Sequence, residues 1–216
     1  MSKVIVVGAL GAVVKATGAA GMMAAIAAAK CGHNVTLLEK NEKLGKKLYI
    51  TGKGRCNITN AGDMDTLFAN VMTNPKFLYS AFYDYDNQRV IDFFEENGLA
   101  TKVERGNRVF PVSDHSSDVI ATLQRVLKRT GVMVQLHAEV RQILTGEGAV
   151  RGVKLADGSV LEAERVILAT GGFSYQTTGS TGDGYRFARE LGHTVTQITP
   201  SLVPFYVKET CAARMQ

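Results

Sequence analysis

The segment from Val4 to Glu39 constrains this chain more than any other. It opens with an apolar run, Val4-Ile5-Val6-Val7-Gly8. A small-residue stretch follows, from Gly18-Ala19-Ala20-Gly21 to about Cys31. It closes with Val35-Thr36-Leu37-Leu38-Glu39. Strand, helix and strand in that order make a βαβ unit, in which the helix carries the chain back so that the strands run parallel. The helix N-terminus of such a unit can hold a pyrophosphate, and an acid at the end of the second strand can take a ribose hydroxyl. The glycine turn is stretched, however. Ala9 to Thr17 adds about eight residues to a compact G-x-G-x-x-G turn. Setting the last two glycines of that pattern on Gly18 and Gly21 puts Ala16 at the first, and setting the first on Gly8 puts Leu10 at the second. The turn alone fits a glycine-rich loop before a packing helix as well as it fits a nucleotide site. Glu39, 18 residues after Gly21, tilts the reading toward a dinucleotide.

Downstream the periodicity is clear. Apolar residues at helical spacing predict helices at about 75–84 and 87–97, the second closed by Gly98. A hairpin is expected over 101–111 around Gly106-Asn107. A helix capped by Ser116-Ser117-Asp118 should run to about Arg129. Strands are expected at 132–136, 139–144, 150–155 and 160–163, the last two joined by an Asp157-Gly158 turn. Arg165–Ala169 is nearly all apolar, as a strand covered on both faces should be. A helix over 183–191, with Asp183 as its cap, and a strand over 193–198 complete the pattern.

At 216 residues with 45% hydrophobic content and 22 glycines, the chain suits one globular domain, or one with part of another. The net charge of +5 is diffuse apart from a run at Lys40, Lys43, Lys46, Lys47, Lys53 and Arg55, which fits a phosphate-facing strip or a solvated loop equally well. No zinc finger or basic helix with aromatic interleaving is present, so no nucleic-acid partner is expected. The four His show no ligand spacing, so no metal is expected. Three widely spaced Cys without a C-x-x-C pair predict a reduced, cytoplasmic chain. Lys15 breaks the N-terminal apolar run, so neither a leader nor a membrane span is expected.

Two further loops carry chemistry. Thr51-Gly52-Lys53-Gly54-Arg55-Cys56-Asn57 offers backbone N–H groups and cations to phosphate or flavin oxygens, yet lacks the spacing of a P-loop. Cys56 has no nearby His and is not expected to be a nucleophile. Ala169-Thr170-Gly171-Gly172 brings a second strand end toward the same nucleotide.

Together these motifs resemble the two-dinucleotide-binding-domain flavoproteins. Most closely they resemble the NAD(P)/FAD-dependent oxidoreductases that include bile-acid 3-oxo-steroid reductase-like and aminoacetone oxidase-like proteins. The resemblance covers nearly the whole chain and is carried chiefly by Gly54-Arg55-Cys56-Asn57 together with Ala169-Thr170-Gly171-Gly172. It implies an α/β fold: a Rossmann-like FAD-binding domain with a central parallel sheet, helices on both faces and a β-meander. It also implies that residues 1–199 form this domain without the family's C-terminal part, and that 200–216 begin the connection to an inserted substrate-side domain. FAD would be the cofactor, with NAD(P)H as electron donor and a small unsaturated or carbonyl molecule as substrate. By the same resemblance Gly18, Ala19 and Gly21 would face the pyrophosphate and Glu39 the adenosine ribose, with Lys40 beside it. Gly45, Lys46, Thr51 and Gly52 would follow the cofactor. Arg55, Cys56 and Asn57 would shape the flavin side, and Val140 would meet the adenine through its backbone. Ala169, Thr170 and Gly171 would complete the set. No catalytic acid or base can be named. A nucleotide-binding fragment without turnover of its own is the alternative, and a dehydrogenase using NAD alone is a weaker one because it leaves the Arg55–Asn57 loop unexplained.

Overall fold

The computed structural model describes residues 3–7, as backbone, and 17–200. The stretched turn and the segment from Ser201 onward, with the connection expected there, lie outside the described residues. The sheet is built from the expected βαβ unit: β1 (Lys3–Val7), α1 (Thr17–Lys30) and β2 (Asn34–Leu38). Its strands are all parallel. β6 (Met133–Gln135) adds outside β2, and β10 (Arg165–Leu168) adds outside β1, giving the order β10-β1-β2-β6.

Between β2 and β6 the chain forms α2 (Lys46–Ile50), a 3-10 turn at Thr51–Gly54, β3 (Thr59–Asn60), α3 (Met64–Ala69), α4 (Tyr79–Asp84) and α5 (Asn87–Glu96). A hairpin follows, β4 (Thr101–Glu104) and β5 (Arg108–Pro111), which pairs with β3, and then α6 (Ser116–Arg129). After β6 comes a meander of β7 (Val140–Gly146), β8 (Ala149–Leu155) and β9 (Val160–Glu162). α7 (Asp183–Glu190) follows β10.

The pleat of β2 places successive side chains on opposite faces. Leu37 joins Met22 and Ile26 of α1 and Leu123, Val126 and Leu127 of α6 in one buried cluster. Its neighbour Leu38 joins Val140, Ile143, Val153 and Leu155 of the meander and Phe187 of α7 in the other. The sheet therefore lies between α1 with α6 on one side and the meander with α7 on the other. This is the expected three-layer α/β arrangement.

Three local expectations fail. Residues 193–198 form no strand: they are largely exposed and pair with nothing among the described residues, and β-branched content alone does not make a strand. Ser116 does not cap α6. It is the first helical residue, the N-cap is His115, and the Ser116 hydroxyl donates to Tyr49 O at 2.7 Å. Asp183 does not cap α7 either. Gly182 holds that position at φ 76°, which frees the Asp183 carboxylate for a partner elsewhere.

Candidate functional site at the carboxyl ends of the parallel strands

In an open parallel sheet the loops beyond the carboxyl ends of the strands form the ligand crevice. Here the loops after β2 and β10 meet there. Past Leu38, Glu39 N donates to Gln135 O and Ala138 N donates to Glu39 O, both at 2.9 Å. That pairing holds the Glu39 backbone against β6, and its side chain is fully buried. Oε1 accepts from Asn41 N at 2.8 Å and from Asn41 Nδ2 at 3.2 Å. Oε2 is buried with no hydrogen-bond partner among the described residues. Burial pushes the carboxyl up to about 7, against the opposing pull of the two Asn41 bonds, Lys40 and Lys46. A buried acceptor left open in this way is what a ribose hydroxyl would satisfy, so the residues present fit a dinucleotide. Val140, which starts the meander two residues after Ala138, is buried nearby.

Lys40 does not project freely. Its ammonium reaches Asp183 Oδ2 and Thr181 Oγ1, each at 2.8 Å, and so ties the end of β2 to the start of α7. Burial would raise the Asp183 carboxyl, but Lys40 and Thr181 outweigh it and hold it below its usual range. Thr170, at the end of β10, is pressed against the same helix: a Cβ on Gly184 would lie 2.4 Å from Thr170 Oγ1. Gly182 N donates to Gly172 O at 3.0 Å. Ala169 and Gly171 flank Thr170 and are half-buried.

On the other flank, Gly45 turns the chain into α2, in and beside which Leu44, Lys47, Leu48 and Thr51 are all buried. Lys46 points outward to Glu42 at 3.2 Å. The Thr51–Asn57 loop is tightly wound. Gly52, Lys53, Gly54 and Cys56 all have φ between 57° and 86°, and a Cβ on Gly52 would lie 2.9 Å from Asn57 N. Arg55 turns away from the loop, pairs with Glu104 and Asp114, and stacks on Phe110 at 4.3 Å. Cys56 is buried, and burial pushes its thiol up to about 12, far from a reactive thiolate. Asn57 Oδ1 is the second buried acceptor without a partner among the described residues. It belongs to the wall of a cavity of about 520 Å³ whose lining includes Ala20, Met23, Ala24, Cys56, Tyr85 and Phe94. Gly18 and Gly21 are buried and Ala19 half-buried in the first turns of α1, and Ala19 also borders that cavity.

Asn41 has no place in the sequence reading, which sets Asp183 as a helix cap and not as the partner of Lys40, and Lys47 in a basic run without marking it as buried. For the burial of Lys47 a signal existed: it stands three residues after Leu44 and four before Thr51, on the same side of α2. Among the described residues no group of three or more His, Cys, Asp or Glu side chains could hold a metal ion, and no helix is long and apolar enough to cross a membrane.

A family described as HI0933-like protein Rossmann domain matches residues 2–207. A 3-dehydro-bile acid delta(4,6)-reductase from Clostridium scindens is 37% identical over 195 residues, which are 89% of this chain and 46% of that protein. A ribosomal RNA dihydrouridine synthase from Haemophilus influenzae is 31% identical over 196 residues, 89% of this chain and 48% of that protein. The chain thus spans about half the length of the curated relatives it matches. Among solved structures, the Mycobacterium smegmatis Sdh1 complex in its apo form shares the fold, with a TM-score of 0.62 at 21% identity over 89% of this chain and 39% of that one.

Proposed function

The chain belongs to the HI0933-like protein Rossmann-domain family, and from that premise we propose that it binds FAD and serves a flavin-dependent oxidoreductase. Electrons would pass between NAD(P)H and a small unsaturated or carbonyl substrate. The observation that carries this reading is the open, buried Oε2 of Glu39 at the end of β2. In this reading Glu39 accepts from the adenosine ribose, with Lys40 and Asn41 fixing the loop around it and Val140 beside the adenine. Gly18, Ala19 and Gly21 present the start of α1 to the pyrophosphate. Gly45, Lys46, Thr51 and Gly52 follow the cofactor, and Ala169, Thr170 and Gly171 close it from β10. Arg55 braces the loop through Glu104 and Asp114, so that Cys56 and Asn57 shape the flavin side. When bound, the flavin supplies the redox chemistry, and the protein supplies binding, orientation and exclusion of water.

The names of the two relatives point to hydrogen added across a carbon–carbon double bond, on a bile acid in one and on rRNA in the other. We favour a small molecule here. The cavity beside Asn57 has a small-molecule volume and is mainly apolar. Of the cations near the site, Lys40, Lys46 and Arg55 are engaged by Asp183, Glu42, and Glu104 with Asp114. A second reading is nucleotide binding without turnover.

The test is spectroscopic. The purified chain, supplied with FAD and desalted, should retain flavin absorption, and anaerobic NADPH should bleach it. Retention without bleaching favours the second reading. A chain that stays colourless after FAD is added overturns both.

A further inference from the structure

Lys47 is 3% exposed, and a lysine is almost never buried unless it is paired. Its neighbours do not pair it. The ammonium donates to Ser174 O at 3.2 Å and approaches Ser174 Oγ at 3.5 Å, and it lies 5.1 Å from the ring centre of Tyr175. Among the described residues no carboxylate lies within ion-pair distance. The part-buried cations of this region each have an acid: Lys40 has Asp183, Lys46 has Glu42, and Arg55 has Glu104 and Asp114, while Lys43 and Lys53 stand exposed to solvent. Burial pushes the Lys47 amine below its usual range.

The location gives this isolated charge a meaning. Lys47 stands in the loop region after β2 and reaches the loop after β10, at the carboxyl ends of parallel strands. The Thr51 hydroxyl, one turn further along, donates to the Lys47 backbone carbonyl at 2.9 Å. The segment after β2 thus sets against the loop after β10 an ammonium with three N–H donors that, among the described residues, donates to Ser174 alone.

We propose that Lys47 is an anion-recognition residue of the cofactor site, held buried without a carboxylate so that an anionic group of the ligand supplies the missing negative charge. That group is either the pyrophosphate or the flavin ring, which gains negative charge on reduction. The inference rests on the FAD reading above, and the test keeps the two apart.

Lys47→Met replaces the charge with an apolar chain of similar length, and Lys47→Arg keeps it. Lys47→Gln replaces Met if that variant does not fold. Without ligand, Lys47→Met should melt at a higher temperature than wild type, because an unpaired buried charge is removed. Its affinity for FAD should fall roughly tenfold or more, the scale of one hydrogen bond to a charged group. Lys47→Arg should retain most of the affinity. If the partner is the pyrophosphate, affinity for ADP-ribose falls in parallel. If it is the flavin ring, ADP-ribose affinity holds and the midpoint potential of bound FAD drops. A Lys47→Met protein that melts lower than wild type and keeps its FAD affinity, ADP-ribose affinity and midpoint potential overturns the inference, for Lys47 would then be a structural donor to Ser174. If wild type takes up neither FAD nor ADP-ribose, the cofactor reading fails. Lys47 as an anion site then stands only if inorganic pyrophosphate raises the melting temperature of wild type and not of Lys47→Met, and falls otherwise.

Discussion

Glu39 is destabilising where it stands. A shift from 4.5 to about 7 corresponds to roughly 3 kcal/mol against the ionised form. Because the folded-state value lies above the unfolded one, the native state holds the extra proton between them. The stability linked to Glu39 is fully present below pH 4.5 and is lost as pH rises through 7. Glu39→Gln should flatten that dependence, as read from denaturant midpoints on either side of pH 7. A ribose hydroxyl donates better to a carboxylate than to a carboxylic acid. FAD affinity of the wild type should therefore rise with pH through about 7, with proton release seen by calorimetry in buffers of different ionisation enthalpy, and Glu39→Gln should lose this rise. An FAD affinity independent of pH across this range would remove Glu39 from the ribose site. The position of this acid was legible because it ends an apolar strand at a fixed distance from Gly21. The state of its second oxygen was not legible, since Asn41 satisfies one oxygen and only the packed structure shows that the other has no partner among the described residues. The Lys46-Lys47 pair teaches the same lesson, because charge alone does not say which lysine turns inward.

At the scale of elements, the loop after β2 is fastened to the start of α7 by Lys40, Asp183 and Thr181, and the end of β10 packs on Gly184. The ion pair is part-exposed, so Asp183→Ala should cost under about 1 kcal/mol of global stability. Its effect should be local: faster hydrogen exchange over residues 178–184, with the rest of the chain unchanged. Gly184→Ala is the harsher change, because the added methyl meets Thr170 Oγ1. It should cost about 1–3 kcal/mol and be rescued in part by Thr170→Ala, a coupling that a double-mutant cycle would measure. Element types were readable because α5 and α6 keep a helical apolar period and Asp157-Gly158 marks a hairpin. Their ends were less so. Ser116 and Asp183 both have side chains suited to capping, yet each makes a contact distant in sequence, with Tyr49 and Lys40, that a local pattern cannot reveal. Residues 193–198 show the converse: a strand-like composition needs a neighbouring strand, and among the described residues none pairs with it.

On the scale of the whole molecule, adjacent residues of one strand serve two cores. Leu37 faces α1 and α6, and Leu38 faces the meander and Phe187. Residues of β10 divide in the same way, Ile167 toward the first cluster and Val166 toward the second. Neither cluster can dissolve without exposing one face of the shared sheet. The two should therefore unfold as one cooperative unit, although they are far apart in sequence. Phe187→Ala removes a fully buried ring from the meander side, and Leu123→Ala a fully buried side chain from the helical side. The expected losses are about 3–5 and 2–5 kcal/mol. In each variant far-ultraviolet dichroism and tyrosine fluorescence should report a single shared midpoint in denaturant. The chain has no Trp, and of its seven tyrosines those at 49, 79, 83 and 85 lie on the α2–α4 side, so replacing Tyr175, Tyr185 and Tyr206 by Phe isolates that group. If Phe187→Ala instead splits the transition, with the tyrosine signal of the helical side holding its wild-type midpoint, the meander is an independent unit. The sheet would then be a boundary between two stabilities and not a shared wall.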